Sequence, residues 1–312
     1  MFEYLLKRLS VSLLVVLGSM TIVFIIVNVL PGDIAQMLLG DTISTEKANE
    51  LSSNLGLDRP LAVQYWDYIT DVLQGNLGSS YVNQSSVQHT LLINLPSTIE
   101  LTLTSSLIAV IVGILMGIAA AVYRDSWIDS VIRIISLFGV CTPTFWIGLL
   151  LIFVFSVHLH WFPAIGSGGL SHLVLPSVGL GLSGAGMLAR LVRNSMLEVL
   201  HKPFVRTLRA KGIRESTIIF KHMLRNAVIP AVTMAGMIIG EMLAGSVVTE
   251  TVFSRQGIGK IIVDAINAKD IPMIQGAVLL TSVFYILINL LADISYMYID
   301  PRIRKMLRPS TQ

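Results

Sequence analysis

Long apolar runs separated by short polar stretches set the rhythm of this chain. The runs lie near 9–30, 98–122, 132–156, 173–192, 228–249 and 276–298. Each reaches the roughly 20 residues that a helix needs to cross the hydrocarbon of a bilayer. Lipid offers the backbone no hydrogen-bond partner, so an apolar run of this length predicts α-helix. The pattern therefore predicts an all-α integral membrane protein with six transmembrane helices. The fourth run is the least regular, because "VLPSVGLGLSGAGML" is rich in glycine and is expected to begin its span at Pro176. Gly113/Gly117 and Gly236/Gly240 have the small-xxx-small spacing that lets membrane helices approach closely.

The polar stretches differ in charge. With the N-terminus inside, the cytoplasmic stretches hold Lys7, Arg8, Arg124, Arg133, Arg190, Arg193, a dense basic segment near 202–225, and Arg302, Arg304, Lys305 and Arg308. The outer stretches hold only Lys47, Arg59, Arg255, Lys260 and Lys269. This asymmetry follows the positive-inside rule and puts both termini in the cytoplasm. The first run, preceded by Lys7 and Arg8, is too long for a signal-peptide core and is expected to stay as a span. The outer segment 31–96 carries turn signals at Pro31-Gly32 and Gly78. It is acidic (Asp33, Asp41, Glu46, Glu50, Asp58, Asp67, Asp71), and its stretch "LAVQYWDYITDVLQ" is amphipathic, with aromatics at Tyr65, Trp66 and Tyr68. It predicts a small helical cap.

Composition agrees. Hydrophobic residues make up 54% of the 312, charged residues 13%, and the mean hydropathy is +0.75. Soluble globules carry about 25% charged residues. The one cysteine, Cys141, excludes an internal disulfide framework. The net charge of +3 matters less than its placement.

The basic segment "FVRTLRAKGIRESTIIFKHMLRNAVIP" carries the sharpest signal. Lys202, Arg206, Arg209, Lys211, Arg214, Lys221 and Arg225 cannot sit in hydrocarbon. Attraction to anionic lipid would need charge without pattern. Here Leu208, Ile213, Ile218, Ile219 and Phe220 recur between the charges, which predicts a short helix, a turn at Gly212 and a second helix leading into the span after Pro230. That pattern fits a surface that docks a protein.

No catalytic constellation stands out: there is no P-loop, no glycine-rich strand-to-helix turn and no paired metal-ligand spacing on a soluble scaffold. Nothing in it calls for a nucleic-acid partner. His158 and His160, with His172 nearby, read either as polar tips beside Trp161 in an interfacial belt or as weak metal candidates. Glu241 lies eleven residues after Pro230, ~16 Å along a helix. Asp293 lies in the inner half of the last span, a turn after Asn289. A carboxylate at that depth costs about 2.5–3.5 kcal/mol on insertion scales, so each is either a structural hydrogen bond between helices or part of a translocation path.

Together these residues resemble the membrane-spanning subunits of bacterial ABC importers for peptides and nickel. The resemblance rests on "VLPGD", "LGLDRPLAVQYWDYI" and "GNLGSSY" in the first third. It continues in "LVRNSMLEVL…FVRTLRAKG…HMLRNAVIP", "ETVFSRQGIGKIIVDAINAKDIPMIQG" and "NLLADISYMYIDPRIR". It implies a type I importer fold in the bacterial inner membrane. Its parts would be a first helix over 1–30, an outer helical segment over 31–96, a transmembrane domain over 97–300 with a coupling loop at 198–227, and a tail at 301–312. It implies that the loop docks an ATPase subunit, through Arg206, Leu208, Arg209, Ala210, Lys211 and Gly212. The implied partners are a second homologous permease subunit, two ATPase subunits that use the ATP, and an extracytoplasmic solute-binding protein. The chain itself would hold no cofactor and catalyse nothing. It departs from the family's usual pattern at "TLRAKG" for "TARAKG" and at "SRQG" for "SWPG". "IGEMLAG", "LPSTIEL" and "TPTFWIGLLL" lean towards nickel, free or chelated, with dipeptides or oligopeptides as the alternative cargo. A secondary transporter or channel would predict internal repeats, which the chain lacks.

Overall fold

The computed structural model describes residues 2–29, 53 and 58–299, without the side chains of 2–7, 29, 293 and 295–299. The expected turn at Pro31-Gly32, the acidic residues between 33 and 50 and the tail at 301–312 lie outside the described residues. In chain order the helices are α1 (Phe2–Val29), α2 (Leu61–Leu73), α3 (Val87–Val122), α4 (Trp127–Cys141) and α5 (Thr144–His158). They continue as α6 (Ser171–Leu200), α7 (Pro203–Ala210), α8 (Glu215–Val252), α9 (Ile258–Asn267) and α10 (Ile271–Ile299). Among the described residues the extended structure is one isolated bridge between Ser79 and Ser86.

Five helices, α1, α3, α6, α8 and α10, are each long and apolar enough to cross a membrane. The third expected span is instead a bent pair, α4 and α5, meeting at 112°. The cause is local. Pro143 follows Thr142, and a residue before proline is pushed out of the helical region. Thr142 accordingly sits at φ −90°, ψ 133° and ends α4.

α6 begins at Ser171, near the start of the run at 173, with Pro176 inside it, and the expected helix after Gly212 runs from Glu215 past Pro230 into the span without a break, as α8. Each proline lies inside its helix and forfeits one backbone bond, which membrane helices tolerate where neighbouring groups can make it good. Within α8, Ile218–Met223 winds as a π-helix.

The chain divides into two compact units. The larger takes Ser97–Gln256 and the residues from Tyr285 on; the smaller takes Phe2–Pro96 and Gly257–Phe284.

At the centre of the larger unit is α6, with Leu180, Leu188, Val192 and Met196 almost wholly buried. It is the least hydrophobic of the five spans, because it faces protein and packs through small residues. A methyl added at Gly113 would stand 2.7 Å from Leu188 Cβ, and one at Gly117 2.6 Å from Val192 Cβ. So α3 rests on α6 with backbone nearly touching side chain, the role that small-xxx-small spacing serves. α4 leans on α6 the same way, since a methyl at Gly139 would stand 2.7 Å from the Leu182 carbonyl oxygen.

In the smaller unit, α2 caps α1. Tyr65 Oη lies 2.7 Å from Thr21 Oγ1, and the Tyr65 ring meets Phe24 edge-on at 5.2 Å. Tyr68 stacks on Phe24 from 6.0 Å. Burial, helped by Tyr65, pushes the Tyr68 hydroxyl up to about 12, so it stays neutral. Trp66, on the opposite side of α2, is exposed. A second core of Val87, Leu91, Ile258, Met273 and Ala277 holds α9 and the start of α10 to the start of α3. There Asp270 accepts hydrogen bonds from Ser80 Oγ and, at 3.1 Å, from the Tyr81 amide.

Candidate functional site: a cationic turn and a carboxylate-bearing helix face

The basic segment folds as a helix, a tight turn and the start of α8. Lys202 precedes Pro203, which opens α7 at a position where a missing N–H costs nothing. On its inner side Val205 is fully buried, and Phe204 and Leu208 pack against the larger unit's core together with Ile213 and Ile218. Its outer side exposes Arg206, Thr207, Arg209 and Ala210, and the turn exposes Lys211 and Gly212. Of the residues expected to couple to a partner, Leu208 alone is turned towards the chain's own core.

The turn has a defined construction. The Gly212 amide donates to the Arg209 carbonyl at 2.9 Å, and the Ile213 amide to the Leu208 carbonyl at 3.2 Å. These two bonds form a Schellman motif, with Gly212 left-handed at φ +69°. A methyl at Gly212 would meet nothing within 4 Å, so glycine is needed here for its backbone angle and not for space. Ile213 and Leu208 both reach the core, which supplies the apolar contact this motif uses.

The cations of the turn play two roles. Arg209 forks onto Glu215, with Nε 3.1 Å from Oε2 and a second bond from Nη2 to Oε1, and so clips α7 to the first turn of α8. The same bond raises the Arg209 pKa. Arg206, Lys211 and Arg214 have no ion pair among the described residues and stand exposed. The surface is therefore a rigid turn with three unneutralised charges.

Further along α8, Met237, Glu241, Ala244, Val248 and Thr251 are exposed at steps of four and three, which makes one helix stripe. Glu241 is its only charge. One residue earlier, a methyl at Gly240 would stand 3.1 Å from Tyr285 Cε2 and 3.6 Å from Asn289 Oδ1, so polar groups of α10 border the stripe. Asp293 belongs to α10, and its side chain lies outside the described residues.

The histidines do not come together. The His158 ring meets Phe153 edge-on at 4.5 Å, His160 Nδ1 lies 3.2 Å from the His158 carbonyl oxygen, and His172 Nδ1 lies 3.4 Å from Ser171 Oγ. Among the described residues no three His, Cys, Asp or Glu side chains are grouped to hold a metal.

Sequence reading missed the polar cluster at the other end of α8. Glu250 is fully buried and accepts a hydrogen bond from Thr98 Oγ1 at 2.7 Å. Arg255, at the second position of "SRQG" where the family's usual pattern has tryptophan, is also buried and pairs with Glu100. Around that turn the Gly166 amide donates to the Phe253 carbonyl at 2.9 Å, and the Gln256 amide to Ser167 Oγ at 2.7 Å. Helical spacing held the missing signal. Nine residues separate Glu250 from Glu241, about two and a half turns, which puts it on the opposite face with Leu243 and Ser246.

A helical membrane body with an exposed cationic turn describes a membrane-embedded protein that leaves a charged surface open. Residues 113–305 match the family of binding-protein-dependent transport system inner membrane components, and residues 1–102 match the N-terminal region of such components; the chain belongs to this family. It is a permease subunit of an ABC importer, a multi-pass protein of the inner membrane, and its family works with ATPase and binding-protein partners. It is 43% identical over 304 residues to the glutathione transport system permease protein GsiC of Salmonella choleraesuis (strain SC-B67), covering 97% of this chain and 99% of that protein. The protein of the same name from Escherichia coli (strain K12) is 41% identical over the same shares. A chain of the MetNI methionine ABC transporter, solved in inward-facing conformations, superposes with a TM-score of 0.59 at 19% identity. That likeness covers 68% of this chain and 96% of that one, and speaks for the fold alone.

Proposed function

We propose that this chain forms half of the translocation path of an ATP-driven importer for short-peptide-type cargo, of which glutathione is one member. A second, homologous permease subunit completes the path. Two ATPase subunits bind and hydrolyse the ATP, and an extracytoplasmic binding protein delivers the cargo. Both termini face the cytoplasm, the same side as α7, where Arg206, Lys211 and Arg214 meet an ATPase subunit. Arg209 and Gly212 keep that surface rigid, so movement of the motor is transmitted into α6 and α8. The exposed cationic turn, built on a Schellman motif, is the observation that carries this reading. Alternating access then requires docking energy that differs between the two states of the bundle.

Peptide-type cargo is favoured over nickel by the name of the relatives at 41–43% identity. Glu241 serves that cargo too, as a partner for the ammonium of a peptide. Nickel stands as a second reading, on the strength of the same carboxylate. In a strain lacking this chain, restoring it should restore uptake of labelled glutathione or dipeptide. Glu241→Gln should lower that uptake about tenfold or more, the worth of one charge-assisted hydrogen bond, without changing assembly. Restored nickel uptake with no peptide uptake would overturn the cargo assignment, and full activity of the Gln variant would return Glu241 to a structural role.

A further inference from the structure

An arginine-lined cavity of about 320 Å³ opens at the end of the larger unit from which α7 emerges. Arg133 and Leu137 of α4 line it, with Arg190, Arg193 and Asn194 of α6. Arg193 and Arg190 lie seven and ten residues before Leu200, so the cavity sits ~10–15 Å inside the end of α6. A 30-residue helix is ~45 Å long against about 30 Å of hydrocarbon, so in a centred α6 this depth falls near the boundary of hydrocarbon and headgroups.

Its charges do not balance. Asp129, fully buried, is taken up by Arg193, whose Nε and Nη2 each lie 2.8 Å from a carboxylate oxygen. The Asp125 amide adds a bond at 3.2 Å, and Arg133 Nε stands 3.6 Å away. Arg190 has no hydrogen bond or ion pair among the described residues, and it is exposed. Asp125, whose charge also reaches Arg193, is taken up by Arg124, so three guanidinium groups against the Asp129 carboxylate leave two positive charges round the cavity. A guanidinium at this depth is costly without a counter-ion.

The surroundings identify the counter-ion. Beyond the arginines, α4 exposes Val131, Ile134, Ile135, Leu137 and Phe138, an apolar ridge along the same helix. A cationic pocket that continues into an apolar ridge matches a molecule with a phosphate head and acyl chains. Basic pockets between membrane helices on the cytoplasmic side hold anionic lipid headgroups in this way. We infer that the cavity binds the phosphate of an anionic phospholipid, with Arg190 and Arg133 as its ligands, Asn194 as a further donor and the α4 ridge under the acyl chains. Arg193 is the positioning residue, fixed by Asp129. Assignment to the inner leaflet rests on the orientation proposed above; the binding itself does not.

The test uses the intact importer, purified in detergent and stripped of lipid, with no cargo or nucleotide, so that a failure of the transport reading leaves it unaffected. Phosphatidylglycerol is titrated in, and bound lipid is counted by native mass spectrometry. Arg190→Gln should weaken retention about fivefold and Arg133→Gln/Arg190→Gln about thirtyfold, while Arg190→Lys should restore it. Phosphatidylcholine should bind at the level of the double variant, and millimolar inorganic phosphate should not displace phosphatidylglycerol. Equal retention by wild type and variants would overturn the proposal, as would full displacement by free phosphate. If the variants fail to assemble, photoactivatable phosphatidylglycerol on the wild-type complex decides. Adducts within 131–138 or 187–194 support the site; adducts only elsewhere, or a protein covering these residues, contradict it.

Discussion

The two ends of α8 handle charge in opposite ways. At its start the cations of α7 and the following turn are exposed, and among the described residues only Arg209 of these is paired, with Glu215. At its finish Glu250 and Arg255 are buried and engaged within the chain, by Thr98 and Glu100. Exposed, uncompensated charge costs little in water and is available to a partner. A buried charge needs a partner within the chain, as Arg255 has through Nη2 to Glu100 while its Nε keeps no hydrogen bond among the described residues. One end of the helix thus leaves its charge open for the docking proposed above, and the other uses it between α3 and the end of α8.

Breaking the buried end should have the largest effect. Glu100→Gln removes the counter-charge of the buried Arg255 guanidinium, at a cost of about 2 kcal/mol, less than for a wholly buried pair because Glu100 is about half exposed. A fall in the thermal midpoint of the purified importer would show it, with ATP hydrolysis per assembled complex unchanged; an unaltered midpoint would remove the pair from the account. Gly212→Val comes next, at about 1–2 kcal/mol, because a β-branched residue resists φ +69°. Its signature should be functional: ATP hydrolysis continues while uptake per ATP falls. Gly212→Asn, which accepts the left-handed region, should recover most of the uptake. Arg209→Ala should do least, below about 1 kcal/mol, because both partners of the clip are about half exposed. It should loosen the turn enough for faster amide exchange at Gly212 and Ile213 without preventing assembly.

What sequence could disclose follows the same division. The cationic turn was legible because charge cannot enter hydrocarbon, and Gly212 because apolar residues flank it on both sides. Glu241 was legible as a lone carboxylate in an apolar run. Glu250 was not, since its place near the end of a run reads as interfacial until its face is compared with that of Glu241. The pairing of Arg255 with Glu100 joins residues 155 positions apart, which no local pattern records. The role of Arg209 was hidden for a related reason: next to Lys211 it looks like one more free cation, and only the folded turn brings Glu215 to it. Among the spans, the fourth looked weakest because burial against protein, not lipid, allowed it to be glycine-rich. The bend at Thr142–Pro143 was expected as a straight span because apolar content alone does not register the restriction that a proline places on its predecessor.

The most direct test of the docking claim places a photocrosslinking residue in the assembled importer, once at Arg206 and once at Val205. The account predicts adducts to an ATPase subunit from position 206 and none from the buried position 205. Adducts from 206 to lipid alone, or to a protein on the outer side of the membrane, would contradict it.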